Sequence, residues 1–88
     1  MNFIREIETE YISESDNVFA EIDGFPSIQL VGTRVVCKVR DESRKMFRSA
    51  SFLLAPQLAI QNKDVQAVIE EHFKLCESHL LRDMKKVA

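Results

Sequence analysis

The chain has 88 residues, of which 45% are hydrophobic and 30% charged, and its net charge is −2. These are globular proportions, so they exclude a disordered chain, and the length predicts one domain over residues 1–88. No run of about 18 apolar residues is present that could span a membrane, and the N-terminus lacks the basic and apolar regions of a signal peptide. We therefore expect an untargeted cytoplasmic protein.

The first predicted element covers residues 2–12, where the apolar residues fit two periods. Four apolar side chains share about 100° of a helical wheel, which favours a short amphipathic helix. They are Phe3, Ile4, Ile7 and Tyr11. The alternative is a strand over residues 6–11, because three glutamates alternate there with less polar residues. Residues 13–17 form a polar connection.

Residues 18–23 alternate with a period of two and predict a strand that ends at Gly24, Phe25 and Pro26. Residues 28–31 and 34–39 then flank Gly32 and Thr33, which favours a hairpin with a two-residue type II′ turn, because that turn requires a positive φ at its first position. Such a turn would place Leu30 opposite Val35. The competing interpretation is a single bent strand with a bulge at Gly32.

Residues 45–54 fit either a helix or a strand. The Ser-rich alternation after a polar turn favours a strand, whereas the helix would leave Phe52 off the apolar face. Pro56 ends either element.

The clearest pattern lies in residues 62–88, which predict one long amphipathic helix with Asn62 or Asp64 as its N-cap. Its apolar stripe consists of Val65, Val68, Ile69, His72, Phe73, Cys76, Leu80, Met84 and Val87. The fold class that follows is α+β: a short N-terminal helix, an antiparallel meander of three or four strands, and a long C-terminal helix on one sheet face.

This helix would span about 36 Å, whereas a compact chain of this length has a radius of gyration of about 12 Å. Leu75 and Leu81 also lie off the apolar stripe. Both observations favour a homodimer, with the outer turns of the helix packed against a second copy. The residues predicted to contact a second copy or another partner are Phe73, Leu75, Leu80, Leu81 and Met84.

Charge is distributed unevenly along the chain. Residues 1–23 contain seven acidic residues and one arginine, so this acidic segment could dock on a basic partner. Residues 34–48 carry a net charge of +4 and predict a basic face that could follow a phosphate backbone. That face would consist of Arg34, Lys38, Arg40, Arg44, Lys45 and Arg48.

His72, Cys76 and His79 share one helix face, with Cys37 as a fourth candidate ligand for zinc. Since one helix cannot easily donate three ligands to one ion, we favour buried thiols and no metal, disulfide or other cofactor. No spacing typical of a catalytic site is present. We therefore expect a small interaction module, an adaptor, chaperone or inhibitor that binds another protein and is not an enzyme. The alternative is a nucleic-acid-binding regulator that uses the basic face.

Overall fold

A computed structural model describes residues 2–87. Three long strands, β1 (Phe3–Ile12), β4 (Gly32–Asp41) and β5 (Phe47–Leu54), form an antiparallel sheet in the order β1-β4-β5. Two short strands, β2 (Phe19–Ala20) and β3 (Ile28–Gln29), form a separate pair, and the helix α1 (Lys63–Val87) packs on one face of the larger sheet. The α+β class and the long C-terminal helix predicted from the sequence are confirmed; the predicted last residue, Ala88, lies outside the described residues.

The N-terminal helix is the main correction to the predicted fold. Residues 3–12 form β1, and the only helical turn before α1 in residues 2–87 is a 3-10 turn, Glu14–Asp16. The strand is favoured because its glutamates lie on one face beside the basic residues of β4. Arg40 Nε donates to Glu6 Oε1 at 3.0 Å, and Lys38 Nζ donates to Glu8 Oε1 at 2.9 Å. A helix could not place these carboxylates on one side.

The hairpin predicted at Gly32 and Thr33 is also wrong. Gly32 is the first residue of β4 and pairs with Ile12, while Ile28 and Gln29 pair with Ala20 and Phe19. Gly32 has a φ of 141°, and a side chain there would overlap the carbonyl oxygen of Leu54. Glycine is therefore required by a close approach between β4 and the end of β5, and not by a turn. The strand predicted over residues 18–23 is reduced to Phe19–Ala20.

The strand predicted over residues 45–54 is confirmed as β5. A tight turn over residues 41–46 joins it to β4, and Asp41 holds that turn. Its Oδ1 accepts a hydrogen bond from the Met46 N–H at 3.1 Å, and its Oδ2 accepts one from the Ser43 hydroxyl at 2.5 Å. Asp41 is buried at this end of the sheet.

The core lies between α1 and the face of the sheet that carries Val35, Cys37 and Val39. The helix contributes the buried residues Val65, Ile69, Phe73, Cys76 and Leu80. Each buried side chain of this kind stabilises the fold by about 1.5–3 kcal/mol. Asn62 is the N-cap, because its Oδ1 accepts a hydrogen bond from the Asp64 N–H at 2.8 Å. No helix in residues 2–87 is long and apolar enough to cross a membrane.

Arg5 connects the edge strand β1 to the helix. Its Nε donates to Glu77 at 2.6 Å, its Nη1 donates to Glu70 at 2.9 Å, and the guanidinium lies 5.1 Å from the centre of the Phe73 ring. The hydrogen bonds that the guanidinium donates to Glu77 and then to Glu70 raise its pKa above the ordinary value. The arginine side chain is 39% exposed, so solvent screens the pairs and each is worth up to about 1 kcal/mol.

Candidate functional site

The connection between β1 and β4 folds into a small hairpin, residues 18–30, which we call the arm. Its base is closed by a hydrogen bond of 2.8 Å from the Leu30 N–H to the Val18 carbonyl, and β2 pairs with β3 above it. The tip is a turn in which the Phe25 N–H donates to the Ile22 carbonyl at 3.0 Å. Gly24 supplies the positive φ of 84° that a type II turn needs at its third residue.

The arm leaves large apolar side chains in water. Its two strands pair with each other and make only sparse contacts with the sheet and the helix. Four side chains are between 52% and 70% exposed: Phe19, Ile22, Phe25 and Ile28. They are four of the eleven large hydrophobic residues that are exposed in the described part of the chain, yet they lie within ten positions. Such a concentration of apolar surface is typical of an interaction site.

The arm and the turn before it are also acidic. Residues 13–31 contain Glu14, Asp16, Glu21 and Asp23 and no lysine or arginine. Glu21 directly precedes the turn that carries Ile22 and Phe25, and Asp23 is part of it. The surface that fits the arm is therefore apolar with basic groups at its edge.

The predicted basic residues do not lie on one face. Lys38 and Arg40 point to the face opposite α1, where Glu8 and Glu6 pair with them, and Arg34 on the same face stands in register with Glu10. Arg48 points to the other face and binds Asp83 of the helix. A depression of about 220 Å³ lies on the sheet face opposite α1. It is lined by Glu6, Lys38, Arg40, Arg44 and Phe47. Arg44 and Lys45 lie in the turn between β4 and β5.

The five residues predicted to form a dimer or partner surface on the helix are in two different environments. Phe73 and Leu80 are 5% and 0% exposed, so they belong to the chain's own core, and Met84 packs against that core. Leu75 is 51% and Leu81 37% exposed. Only these two leucines offer a partner substantial apolar surface.

The sulfur and imidazole groups take part in packing. Cys37 and Cys76 are buried free thiols whose Sγ atoms approach the carbonyl oxygens of Ile69 and Cys37 at 4.0 and 3.8 Å. Burial raises the pKa of both thiols. His72 bonds to the Val68 carbonyl at 2.9 Å and its ring lies 4.9 Å from the Phe52 ring. Within residues 2–87, no group of three or more His, Cys, Asp or Glu side chains is arranged to hold a metal ion.

A second apolar feature lies beside β5, where a cleft of about 320 Å³ opens between the end of the strand and the start of α1. Its lining is almost entirely apolar: Phe52, Leu53, Leu54, Ala55, Leu58, Asp64, Val65 and Val68.

Comparisons with protein-family models, curated proteins and solved structures find no match for this chain. The alternating pattern of residues 18–23 predicts a strand and does not indicate a role for Phe19, Ile22, Phe25 and Ile28. The available signal was a turn at residues 24–26 with apolar residues on both sides and a polar connection before it.

Proposed function

We propose that this chain is a protein-binding module whose arm docks on an apolar, basic surface of a partner protein. The observation that carries the proposal is the exposure of Phe19, Ile22, Phe25 and Ile28 on one small hairpin. Single exposed apolar side chains are common on protein surfaces, but four within ten positions form a concentration that the packing of the described chain leaves uncovered. A partner that covers it gains the free energy of removing that surface from water.

The magnitude indicates what else the partner must contribute. Burying a fully exposed side chain of this size contributes about 1.5–3 kcal/mol, so the four side chains together contribute at most roughly 3–7 kcal/mol. Phe19 and Ile28 lie on opposite faces of the β2–β3 pair, so a partner that covers one face gains less than this sum. The loss of translational and rotational freedom on association costs about 4–15 kcal/mol. Apolar contacts alone therefore give at most weak binding. Basic groups opposite Glu21 and Asp23 would add electrostatic attraction and faster association.

The hairpin geometry supports docking by a defined surface. The type II turn and the short β2–β3 pair hold the tip in one conformation, so a partner does not bear the full cost of ordering a free loop. The nucleic-acid alternative has less support, because Glu6 and Glu8 neutralise two of the basic residues that it requires.

The test is affinity capture from a lysate of the cells that make the protein. Immobilised wild-type chain is compared with the Ile22→Ser/Phe25→Ser variant, and Tyr11→Ser is the matched control because Tyr11 is 62% exposed but lies on β1. We expect one protein to be retained by the wild type and the control and lost from the arm variant. Equal retention by all three would contradict the proposal.

The same experiment distinguishes protein binding by the arm from nucleic-acid binding by the basic face. Absorbance at 260 nm is a sensitive probe of bound nucleic acid here, since the chain has no tryptophan and one tyrosine. Nucleic acid that is retained at low salt and lost when Arg34, Lys38 and Arg40 are neutralised would replace the arm by the basic face as the binding surface.

A further inference from the structure

The strand β5 is an edge of the sheet with unpaired backbone groups. The Asp41 N–H donates to the Met46 carbonyl, and this pair has the same register as the β4–β5 ladder. Hydrogen-bonded pairs alternate along an antiparallel ladder, so every second residue of β5 bonds to β4 and the others point outward. The outward backbone groups belong to Phe47, Ser49, Ser51 and Leu53, and of these the Phe47 carbonyl accepts one long hydrogen bond of 3.5 Å, from Arg48 Nη1.

The two edges of the sheet differ in how they are protected. Strand β1 carries charges along its length, including Arg5, Glu6 and Glu8, which discourage pairing with another strand. Strand β5 has the sequence FRSASFLL, with no proline or glycine, and its single charge, Arg48, is bound to Asp83 on the helix side. A strand of eight residues with this composition is open to edge-to-edge pairing.

The helix flank above β5 is also uncovered. Leu75 is 51% exposed although it lies in the middle of α1, next to the buried Cys76. Ile69 and Cys76 both contact Cys37, and Cys37 pairs with Ala50 of β5. Ala50 is therefore level with the part of α1 between Ile69 and Cys76, which includes Leu75.

We propose that two copies of the chain pair through β5 in an antiparallel arrangement with the twofold axis at Ala50, which forms one six-stranded sheet. In this register Ser49 faces Ser51 of the second copy, and Phe47 faces Leu53. These four residues are the ones whose backbone groups point outward, so each pair exchanges two hydrogen bonds. The register also covers Phe47 and Leu53, which are 63% and 38% exposed in the single chain.

The helices fit the same arrangement. Neighbouring strands lie about 4.8 Å apart. The twofold axis lies midway between the two β5 strands, so it is about 5 Å from the line midway between β4 and β5 of one copy. The helix α1 packs over these two strands. The two helix axes are then about 10 Å apart, which is the spacing of helices in contact, and the contact includes Leu75 of both copies.

Charge complementarity favours this antiparallel pair. Asp64 and Lys86 are each eleven residues from Leu75, near the start and the end of α1. If the twofold axis passes at the level of Leu75, Asp64 of one helix is therefore beside Lys86 of the other. The helix dipoles are also antiparallel, so opposite partial charges are adjacent. The arm takes no part in this interface, so the inference is independent of the proposed function.

The first test uses proline at an outward backbone position. Ser51→Pro removes an N–H that bonds only to the second copy, so the β4–β5 ladder is kept. Thr9→Pro is the matched control, because the alternation of pairs directs the Thr9 N–H outward on the other edge strand. By sedimentation equilibrium we expect dimers for the wild type and Thr9→Pro, and at least a tenfold weaker dimer for Ser51→Pro. A monomeric wild type, or an unchanged Ser51→Pro dimer, would overturn the inference.

The second test does not depend on whether the proline variant folds. Helix axes about 10 Å apart place the Leu75 Cα atoms about 6 Å apart, which is within the range that a disulfide can bridge. We expect Leu75→Cys to form a covalent dimer on mild oxidation. Lys74→Cys, one position further round the helix, should stay monomeric in a denaturing gel, and equal cross-linking of both variants would contradict the arrangement.

Discussion

Asp41, at the turn between β4 and β5, is a buried polar side chain of the sheet with hydrogen bonds to both of its carboxylate oxygens. Its two oxygens accept hydrogen bonds from the Ser43 hydroxyl and the Met46 N–H, and the side chain is buried. These bonds, first from Ser43 and then from Met46, lower the pKa of the carboxyl below its ordinary value of 3.8. The charged form is therefore favoured in the folded chain.

The sign of the pH dependence follows from this shift. A lowered pKa in the folded state contributes stability that is present above the ordinary pKa and is lost as pH falls below it. We expect Asp41→Asn to unfold at a lower urea concentration than the wild type at pH 7, with the difference shrinking below about pH 4. The measurement is the urea midpoint of both proteins between pH 2.5 and 7. A constant difference over this range would show that Asp41 contributes by shape alone.

At the scale of elements, Gly32 sets how closely β4 approaches the end of β5. Its φ of 141° is open mainly to glycine, and an added Cβ would meet the backbone of Leu54, which cannot move without displacing β5. Gly24 in the arm has a φ of 84° and open space around it. A side chain at Gly24 would meet only the cost of a positive φ, whereas a side chain at Gly32 would also clash with the backbone of Leu54.

Alanine substitution tests that difference. We expect Gly32→Ala to lower the free energy of unfolding by about 3 kcal/mol, because overpacking against a backbone carbonyl adds to the cost of the positive φ. Gly24→Ala should cost only about 1–2 kcal/mol, the penalty for a left-handed residue without a clash. Urea denaturation of both variants provides the comparison, and equal losses would contradict the role assigned to Leu54.

The elements differ in how far local sequence determines them. The helix α1 was predictable because its apolar period repeats over 25 residues and Asn62 caps it locally. Strand β1 was not, since its residues fit both periods and the choice depends on Lys38 and Arg40, which lie 30 and 34 positions from the glutamates that they bind. Gly32 has the sequence signature of a turn, but a glycine is needed there because the backbone of Leu54 leaves no room for a side chain. In both β1 and Gly32, contacts with residues distant in sequence determine the structure that local sequence did not predict.

The candidate site follows the same principle. Alternation in residues 18–23 indicated a strand, but two strands as short as β2 and β3 cannot bury their own apolar side chains. Exposure of Phe19 and Phe25 is therefore a property of the fold and not of the local pattern. The acidic character of the arm, in contrast, was readable from composition alone.

At the scale of the whole molecule, the chain is more extended than its length requires. Its radius of gyration is 15.4 Å and its extents are 44 × 32 × 20 Å, whereas a compact chain of this length has a radius of gyration of about 12 Å. Seven of the eleven exposed large hydrophobic residues in the described part of the chain lie on two separate surfaces: four on the arm, and three on the β5 edge and its helix flank. We propose that the first binds another protein and the second binds a second copy, which would give two arms per assembly.

Site-specific photo-cross-linking tests the arm most directly. A benzophenone amino acid is placed at position 25 in the arm or at position 11 in β1, two sites of similar exposure, and each protein is irradiated in lysate. We expect position 25 to form an adduct with one partner protein, charge reversal of Glu21 and Asp23 to weaken this adduct, and position 11 to form none. Adducts of equal yield from both positions, or no adduct from position 25, would contradict binding by the arm.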